Sequence, residues 1–230
     1  FSQGFTLLSS YTWSKSQDNS SGIRVQGQDT LFPQNSYCRK CEWALSAFDT
    51  RHRFVTSTLY DLPVGKGRQL DVRNPVANAF VGGWQVGGIW TVQSGFPITP
   101  TVGGTDRSGN GAGFDRPDTT GVSPYISGGT PSRWWNVAAF TANVPGTFGN
   151  AGRNALIGPR IFTVDFSAHK EFRMPYKENH VLQFRLEAFN ALNHPVWGIP
   201  NANVLSSGFG TITGTAVSMR QAQMALKYSF

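Results

Sequence analysis

Charge and long apolar runs are both scarce in this chain. Only 14% of its 230 residues are charged, and no apolar stretch approaches the about 20 residues that a membrane-crossing helix needs. The patterns H-E-x-x-H and G-x-S-x-G are missing, and the glycine-rich stretch 103–113 lacks the Lys-Ser/Thr pair of a P-loop. The sequence therefore predicts neither a membrane-spanning helix nor an enzyme, and it indicates no cofactor.

Cysteine is also scarce, with one pair in the stretch C-R-K-C, Cys38 and Cys41. A single C-x-x-C is half of a four-cysteine zinc site, and the chain has no second half. A redox pair is expected in a thioredoxin-like βαβ context, which is missing as well. The pair is therefore interpreted as a loop disulfide in an oxidising compartment, and no metal site is predicted.

Basic residues exceed acidic ones, and the formal net charge is +7. Lys and Arg are scattered over predicted loops and strand ends and form no stripe, which argues against a nucleic-acid partner. Basic loops suit an anionic substrate or anionic lipopolysaccharide equally well.

Aromatic residues and glycine are plentiful, at 13% of the chain and 26 residues, which is typical of a β protein with many turns. The stretch 220–230 alternates in polarity, so a strand there has one apolar and one polar face. In an outer-membrane barrel such an apolar face meets lipid, and aromatic residues lie at the membrane interfaces. The closing strand of a soluble β-sandwich is the alternative. The apolar face consists of Ala222, Met224, Leu226, Tyr228 and Phe230.

The same alternation predicts five further strands and an all-β fold. The six predicted strands are 1–16, 52–62, 80–96, 161–172, 180–192 and 220–230. The facing of the second strand is ambiguous, and residues 43–48 are predicted to form a short helical turn.

The connections between the predicted strands alternate in length. They are 17–51, 63–79, 97–160, 174–179 and 193–215. Outer-membrane barrels have long extracellular loops and short periplasmic turns, whereas a soluble sandwich has no reason to sort its loops in this way. The prediction is an antiparallel transmembrane β-barrel segment of about six strands, with long outer loops and short periplasmic turns.

Several stretches, in order along nearly the whole chain, resemble the barrel of TonB-dependent outer-membrane receptors. The chain is most similar to the Oar-like group of that family. The stretches are F-D-T-R-H-R-F-V at 48–55, Y-D-L-P-V-G at 60–65, G-G-W-Q-V-G-G-I-W at 82–90, G-T-F-G-N-A-G-R-N at 146–154, F-R-L-E-A-F-N-A-L-N-H-P within 181–201, and the terminal M-A-L-K-Y-S-F.

The resemblance implies that residues 1–230 are the C-terminal part of a roughly 22-stranded barrel, with a plug domain and a TonB box upstream. A fragment is also expected because the chain starts at Phe1 without Met. Such receptors sit in the bacterial outer membrane and import scarce ligands with energy supplied through TonB. The ligand stays open between a metal chelate, a glycan and a peptide. The implied partners are outer-membrane lipid, the TonB complex and the barrel-assembly machinery. The assembly signal that the last strand resembles is carried by Met224, Leu226, Tyr228 and Phe230.

The longest predicted outer loop, 97–160, holds the candidate ligand-binding residues. An aromatic pair with basic neighbours suits an anionic or glycan ligand, and packing within the loop explains the same residues equally well. These residues are Arg107, Arg116, Arg133, Trp134 and Trp135.

Two polar rows lie on predicted inward faces. Asp165, His169 and Glu171 are candidates for a cation site, although solvated barrel lining is the favoured interpretation. Arg185 and Glu187 are predicted to form a structural charge ladder with neighbouring strands. Two other functions stay open: a non-transporting surface barrel or adhesin, and a soluble extracellular carbohydrate-binding β-sandwich.

Overall fold

The computed structural model describes residues 4–21, 32–174 and 180–230, and its main element is one antiparallel sheet of six strands. The strands pair in chain order, so this strand wall is a simple meander. Residues 1–3 of the first predicted strand, 22–31 of the first loop and 175–179 of the short turn lie outside the described residues. The strands are β1 (Phe5–Trp13), β2 (His52–Asp61), β3 (Trp84–Gln93), β4 (Ile161–Arg173), β5 (Val181–Phe189) and β6 (Gln221–Ser229).

The register gives the strand wall one apolar face and one polar face. Directly opposed residues of antiparallel strands point to the same side, and one cross-strand row joins Tyr11, Phe54, Val92 and Phe162. The ambiguous facing of β2 is thereby settled, because Phe54 and Tyr60 fall on the apolar face. That face also carries Phe5, Leu7 and Trp13 of β1, Trp84, Val86 and Trp90 of β3, Val164, Phe166, Ala168 and Phe172 of β4, Leu182, Phe184, Leu186 and Ala188 of β5, and Ala222, Met224, Leu226 and Tyr228 of β6.

The predicted start of the third strand, at residue 80, is wrong. Helix α1 (Pro75–Val81) occupies that position. The Asn74 side chain caps it by accepting two backbone N–H groups of the first turn, and proline is favoured at the first helical position. Gly83 follows the helix with φ +72°, a left-handed conformation that glycine adopts without a steric penalty. The strand therefore begins at Trp84. No helix in the described part of the chain is long and apolar enough to cross a membrane.

Two other predicted boundaries change. The helical turn predicted at 43–48 is wrong, because a 3-10 helix occupies Arg39–Glu42 and Ala44–Leu45 pairs as a short strand with Gln17–Asp18. The fifth strand ends at Phe189, since Asn190 takes φ +48° and its side chain binds the backbone at residue 194. Tertiary pairing and turn formation thus override the local pattern.

The connection 94–160 contains no long strand, in keeping with its composition, yet it is folded. Its hydrophobic core joins Ile98, Trp135 and Leu156 to Phe209 of the next long connection. A 3-10 helix covers Val137–Ala139. The paired short strands are Pro97–Ile98 with Leu156–Ile157, Asp118–Thr119 with Phe140–Thr141, and Tyr125–Thr130 with Arg133–Trp135.

Candidate functional site

The apolar face of the strand wall carries aromatic side chains at both ends of the strands. Trp13, at one end, is 69% exposed, and Leu226, nearer the middle of β6, is 65% exposed. A contiguous exposed apolar surface of this kind marks an interaction with a membrane or a partner. The aromatic side chains are Tyr11, Trp13, Phe54 and Phe162 at one end, and Phe5, Tyr60, Trp84, Phe172 and Tyr228 at the other.

One charged side chain, Lys170, lies on the apolar face and is only 4% exposed. Its ammonium donates a hydrogen bond to the carbonyl of Gly82 and lies 3.5 Å from the carbonyl of Asn78, at the C-terminal end of α1. The ammonium also lies 4.9 Å from the centre of the Phe172 ring. Carbonyl groups at a helix C-terminus favour a cation, so α1 satisfies a charge that would otherwise face an apolar environment.

The polar face carries a cross-strand network of charged and amide side chains. Arg185 Nη1 lies 3.6 Å from Glu187 Oε1, and Gln223 donates to the other Glu187 oxygen at 2.5 Å. The ion pair therefore lies within β5, and the neighbouring strand contributes the Gln223 amide in place of the predicted charge ladder. Asp165, from the row predicted as a possible cation site, accepts the backbone N–H of residue 190 at 2.9 Å. Within residues 4–21, 32–174 and 180–230, no three His, Cys, Asp or Glu side chains are grouped to hold a metal ion.

Three long connections lie at one end of the strand wall, and their described residues, 14–21, 32–51, 94–160 and 190–220, pack together into what we term the loop cap. A buried ion pair joins the first two: Arg116 Nη1 lies 2.7 Å and Nη2 3.2 Å from the two Glu42 carboxylate oxygens. Both side chains are at most 4% exposed. Arg153 makes a second link, donating to the Asp18 carboxylate and, at 2.9 Å, to the Glu42 carbonyl.

Backbone hydrogen bonds attach the third connection to the second. Thr101 donates to the Ala202 carbonyl and accepts from Val204, both at 2.9 Å. Trp134 donates its backbone N–H to the Gly210 carbonyl at 2.8 Å. The three connections are thus held as one folded unit above the strand ends.

The five predicted ligand-binding residues differ in their exposure to solvent. Arg116 and Trp135 are buried, at 2% and 0% exposure, so loop packing, the alternative interpretation, accounts for them. Arg107 is half-buried, and its Nε donates to the Asn143 carbonyl at 2.8 Å. Arg133 is exposed, and Trp134 lines a groove described below.

Sequence reasoning missed Asp18, Glu42 and Arg153. Arg153 is more than 100 positions away in the sequence from both Asp18 and Glu42, and Arg116 is 74 positions away from Glu42. Opposite charges in two polar loops carry no periodic signal, so only the fold brings them together.

The predicted cysteine pair is bonded in the structure. The Cα atoms of Cys38 and Cys41 lie 5.3 Å apart, and Cys41 donates its backbone N–H to the Cys38 carbonyl at 3.0 Å. The disulfide closes the turn that leads into Glu42, the buried partner of Arg116.

A carboxylate turn lies at the surface of the loop cap. The Asp106 side chain accepts backbone N–H groups of Gly111 at 2.8 Å, Gly109 at 2.9 Å and Asn110 at 3.1 Å. These bonds, that from Gly111 first, hold the pKa of the Asp106 carboxyl below its usual value of 3.8.

An open groove of about 810 Å³ lies between the apolar face and the hairpin 125–135. Its floor is formed by the ends of β1, β2 and β3, and the Tyr11 hydroxyl lies 2.9 Å from His52 Nδ1. None of the lining side chains, all from described residues, is acidic. The lining side chains include Tyr11, His52, Phe54, Val92, Ile126, Trp134 and Arg160.

The chain matches the family model described as outer membrane beta barrel domain over residues 1–223. The chain belongs to this outer membrane β-barrel family. The predicted all-β barrel fold and the location in the bacterial outer membrane are thereby confirmed. No curated protein and no solved structure matches the chain.

Membership in the β-barrel family gives each surface an orientation. The apolar face meets lipid between its two aromatic belts, and the polar face lines the interior. The loop cap is extracellular, because barrels carry their long connections on that side, and the connection 62–83 with α1 is periplasmic. The soluble β-sandwich is therefore excluded.

Proposed function

We propose that this barrel wall belongs to a TonB-dependent receptor of the Oar-like group, which binds a ligand at the loop cap and imports it through a plugged barrel. Residues 1–230 then form the C-terminal part of the barrel. The proposal includes the TonB complex and the assembly machinery as partners, and it includes no catalysis.

The inward face of the wall is the observation that carries the proposal. It carries polar or charged side chains on each of the six strands, among them Asp61, His169, Arg185 and Lys227. A polar interior is filled either by water, as in a channel, or by a plug. Both β1 and β6 have one neighbour each in the described sheet, and a barrel must close. A larger barrel with a plug satisfies both conditions.

The loop cap supports the binding step. Its connections are held by one buried and one partly buried ion pair and by a shared core. A preorganised surface of this kind loses less conformational entropy on binding than flexible loops do. The net charge of +7 favours an anionic ligand such as a metal chelate. Of the predicted residues, Arg133 is exposed and is the one we assign to the imported ligand.

The test uses the full-length protein in paired strains with and without TonB. Three labelled probes are offered: ferric citrate, cyanocobalamin and a maltodextrin. We expect uptake of at least one probe only where TonB is present, and co-purification of TonB with the receptor. Arg133→Gln should lower that uptake, whereas Arg73→Gln, the same change on the periplasmic side, should not.

Two results contradict import. Equal uptake in both strains indicates an open channel. Absence of TonB from the purified receptor, together with no uptake of any probe, indicates a non-transporting surface barrel.

A further inference from the structure

We propose that the groove beneath the hairpin 125–135 binds a lipopolysaccharide molecule of the outer leaflet, through its phosphorylated and acylated lipid A part. The groove opens on the lipid-facing side of the wall, at the extracellular ends of β1, β2 and β3. It is therefore continuous with the membrane interface, and an amphiphile of the outer leaflet reaches it without leaving the membrane.

The floor of the groove suits acyl chains. Phe54 and Val92 face each other across β2 and β3, and both are about two-fifths exposed, at 41% and 40%. Ile126 contributes apolar surface from the hairpin side. The volume of about 810 Å³ lies within the roughly 300–1,000 Å³ range of ligand sites.

The rim of the groove suits an anionic sugar head group. Arg160 lies immediately before β4, His52 begins β2, and no acidic side chain lines the groove. A guanidinium binds phosphate through paired hydrogen bonds. Trp134 adds an aromatic surface, on which a sugar ring packs. Apolar floor, basic rim and aromatic wall together match an acylated glycolipid phosphate.

The inference depends on the outward orientation of the apolar face and not on import. The experiment measures equilibrium binding of purified lipopolysaccharide to the full-length protein in detergent micelles, and folding of each variant is checked by heat-modifiable gel migration. Arg160→Gln should weaken binding about tenfold, the loss expected for one charge-assisted contact. Arg53→Gln is the matched control, because Arg53 adjoins His52 but lies on the inward face.

Two further experiments test the apolar floor and the phosphate recognition separately. Ile126→Trp, which fills the groove without changing its charge, should also weaken binding. Dephosphorylated lipopolysaccharide and phosphatidylglycerol should bind at least tenfold more weakly than intact lipopolysaccharide. Equal binding of any of these lipids overturns the proposal, and so does an equal response of Arg160→Gln and Arg53→Gln.

Discussion

The ion pair between Arg116 and Glu42 is the contact whose loss should loosen the loop cap most. Both side chains are at most 4% exposed, so Glu42→Gln leaves a guanidinium buried without its counter-charge. Removing one partner of such a pair costs about 3 to 5 kcal/mol. The cost falls on opening of the loop cap, because the pair joins two of its connections and touches none of the six strands.

The assay is hydrogen–deuterium exchange of the full-length protein in detergent, read on peptides from 32–51 and 107–123. Since each 1.4 kcal/mol is a factor of ten, exchange in Glu42→Gln should be between about a hundredfold and a few thousandfold faster. Exchange in the strands should stay unchanged. Arg73→Gln breaks an exposed pair, with Arg73 at 94% side-chain exposure, and should leave exchange in the cap as it is.

A double replacement separates the cost of the uncompensated charge from the cost of lost packing. Arg116 Nε has no hydrogen-bond partner among the described residues, so the buried pair is not fully satisfied. Replacing both ends with apolar residues of similar size, Arg116→Met with Glu42→Leu, should restore most of the protection. If Glu42→Gln exchanges within twofold of the native protein, the pair does not hold the cap closed. Equal acceleration in the single and double variants would show that specific hydrogen bonds, and not the uncompensated charge, matter.

Further predictions concern four single positions. Phe230→Ala in the full-length protein should lower the amount of folded barrel in the outer membrane, measured by heat-modifiable migration, although Phe230 is 89% exposed and packs little; wild-type levels would refute its role as an assembly signal. Lys170→Met should preserve folding and Lys170→Glu should impair it, because a carboxylate is repelled by the carbonyl of Gly82; equal folded amounts would contradict this. Asp106 has a lowered pKa, so its contribution to stability is present above pH 3.8 and lost as the pH falls below it; the protection of amides 106–111, measured relative to intrinsic exchange at the same pH, should fall there, and Asp106→Asn should remove that pH dependence. Trp135→Ala should destabilise the loop cap by about 3 to 5 kcal/mol, and unchanged exchange in 94–160 would argue against its place in the core.

The strand wall is the part of the fold that the sequence predicts well. Alternation is a local property, and it located all six strands, with Leu182, Phe184 and Leu186 opposite Tyr228, Leu226 and Met224. The facing of β2 needed the register, because its polar Thr56 and Thr58 share the apolar face with Phe54. Because β2 has threonine on its apolar face and valine on its inward face, its sequence shows no clear alternation of polarity.

Helix α1 shows why local signals compete. Asn74 and Pro75 are start signals for a helix, and both are visible in the sequence. The apolar residues at 80–81 continue into the pattern of β3, so the strand was predicted to begin too early. The pair Gly82–Gly83 marks the true break.

For the candidate site, the sequence predicted which residue types are present but not which of them are exposed. Aromatic and basic residues in 97–160 indicated a ligand surface. Arg116 and Trp135 are instead buried inside the loop cap, because they pack against Glu42 and Phe209 from the other two connections. The groove was not predicted at all, because its two walls lie far apart in the chain and meet only when the hairpin folds over the strands.

The Arg116–Glu42 pair, which is buried, and the Arg153–Asp18 pair, which is partly buried, make the loop cap respond to sequence change differently from the strand wall. The wall pairs only sequence neighbours, so one strand can be exchanged with little effect beyond its two neighbours. In the cap, a change at Glu42 leaves Arg116 without its counter-charge, and a change at Asp18 removes the carboxylate that pairs with Arg153. The first two extracellular connections are therefore expected to diversify in concert, as one exchangeable module, and a chimera that swaps either of them alone should carry a broken cap on an intact wall.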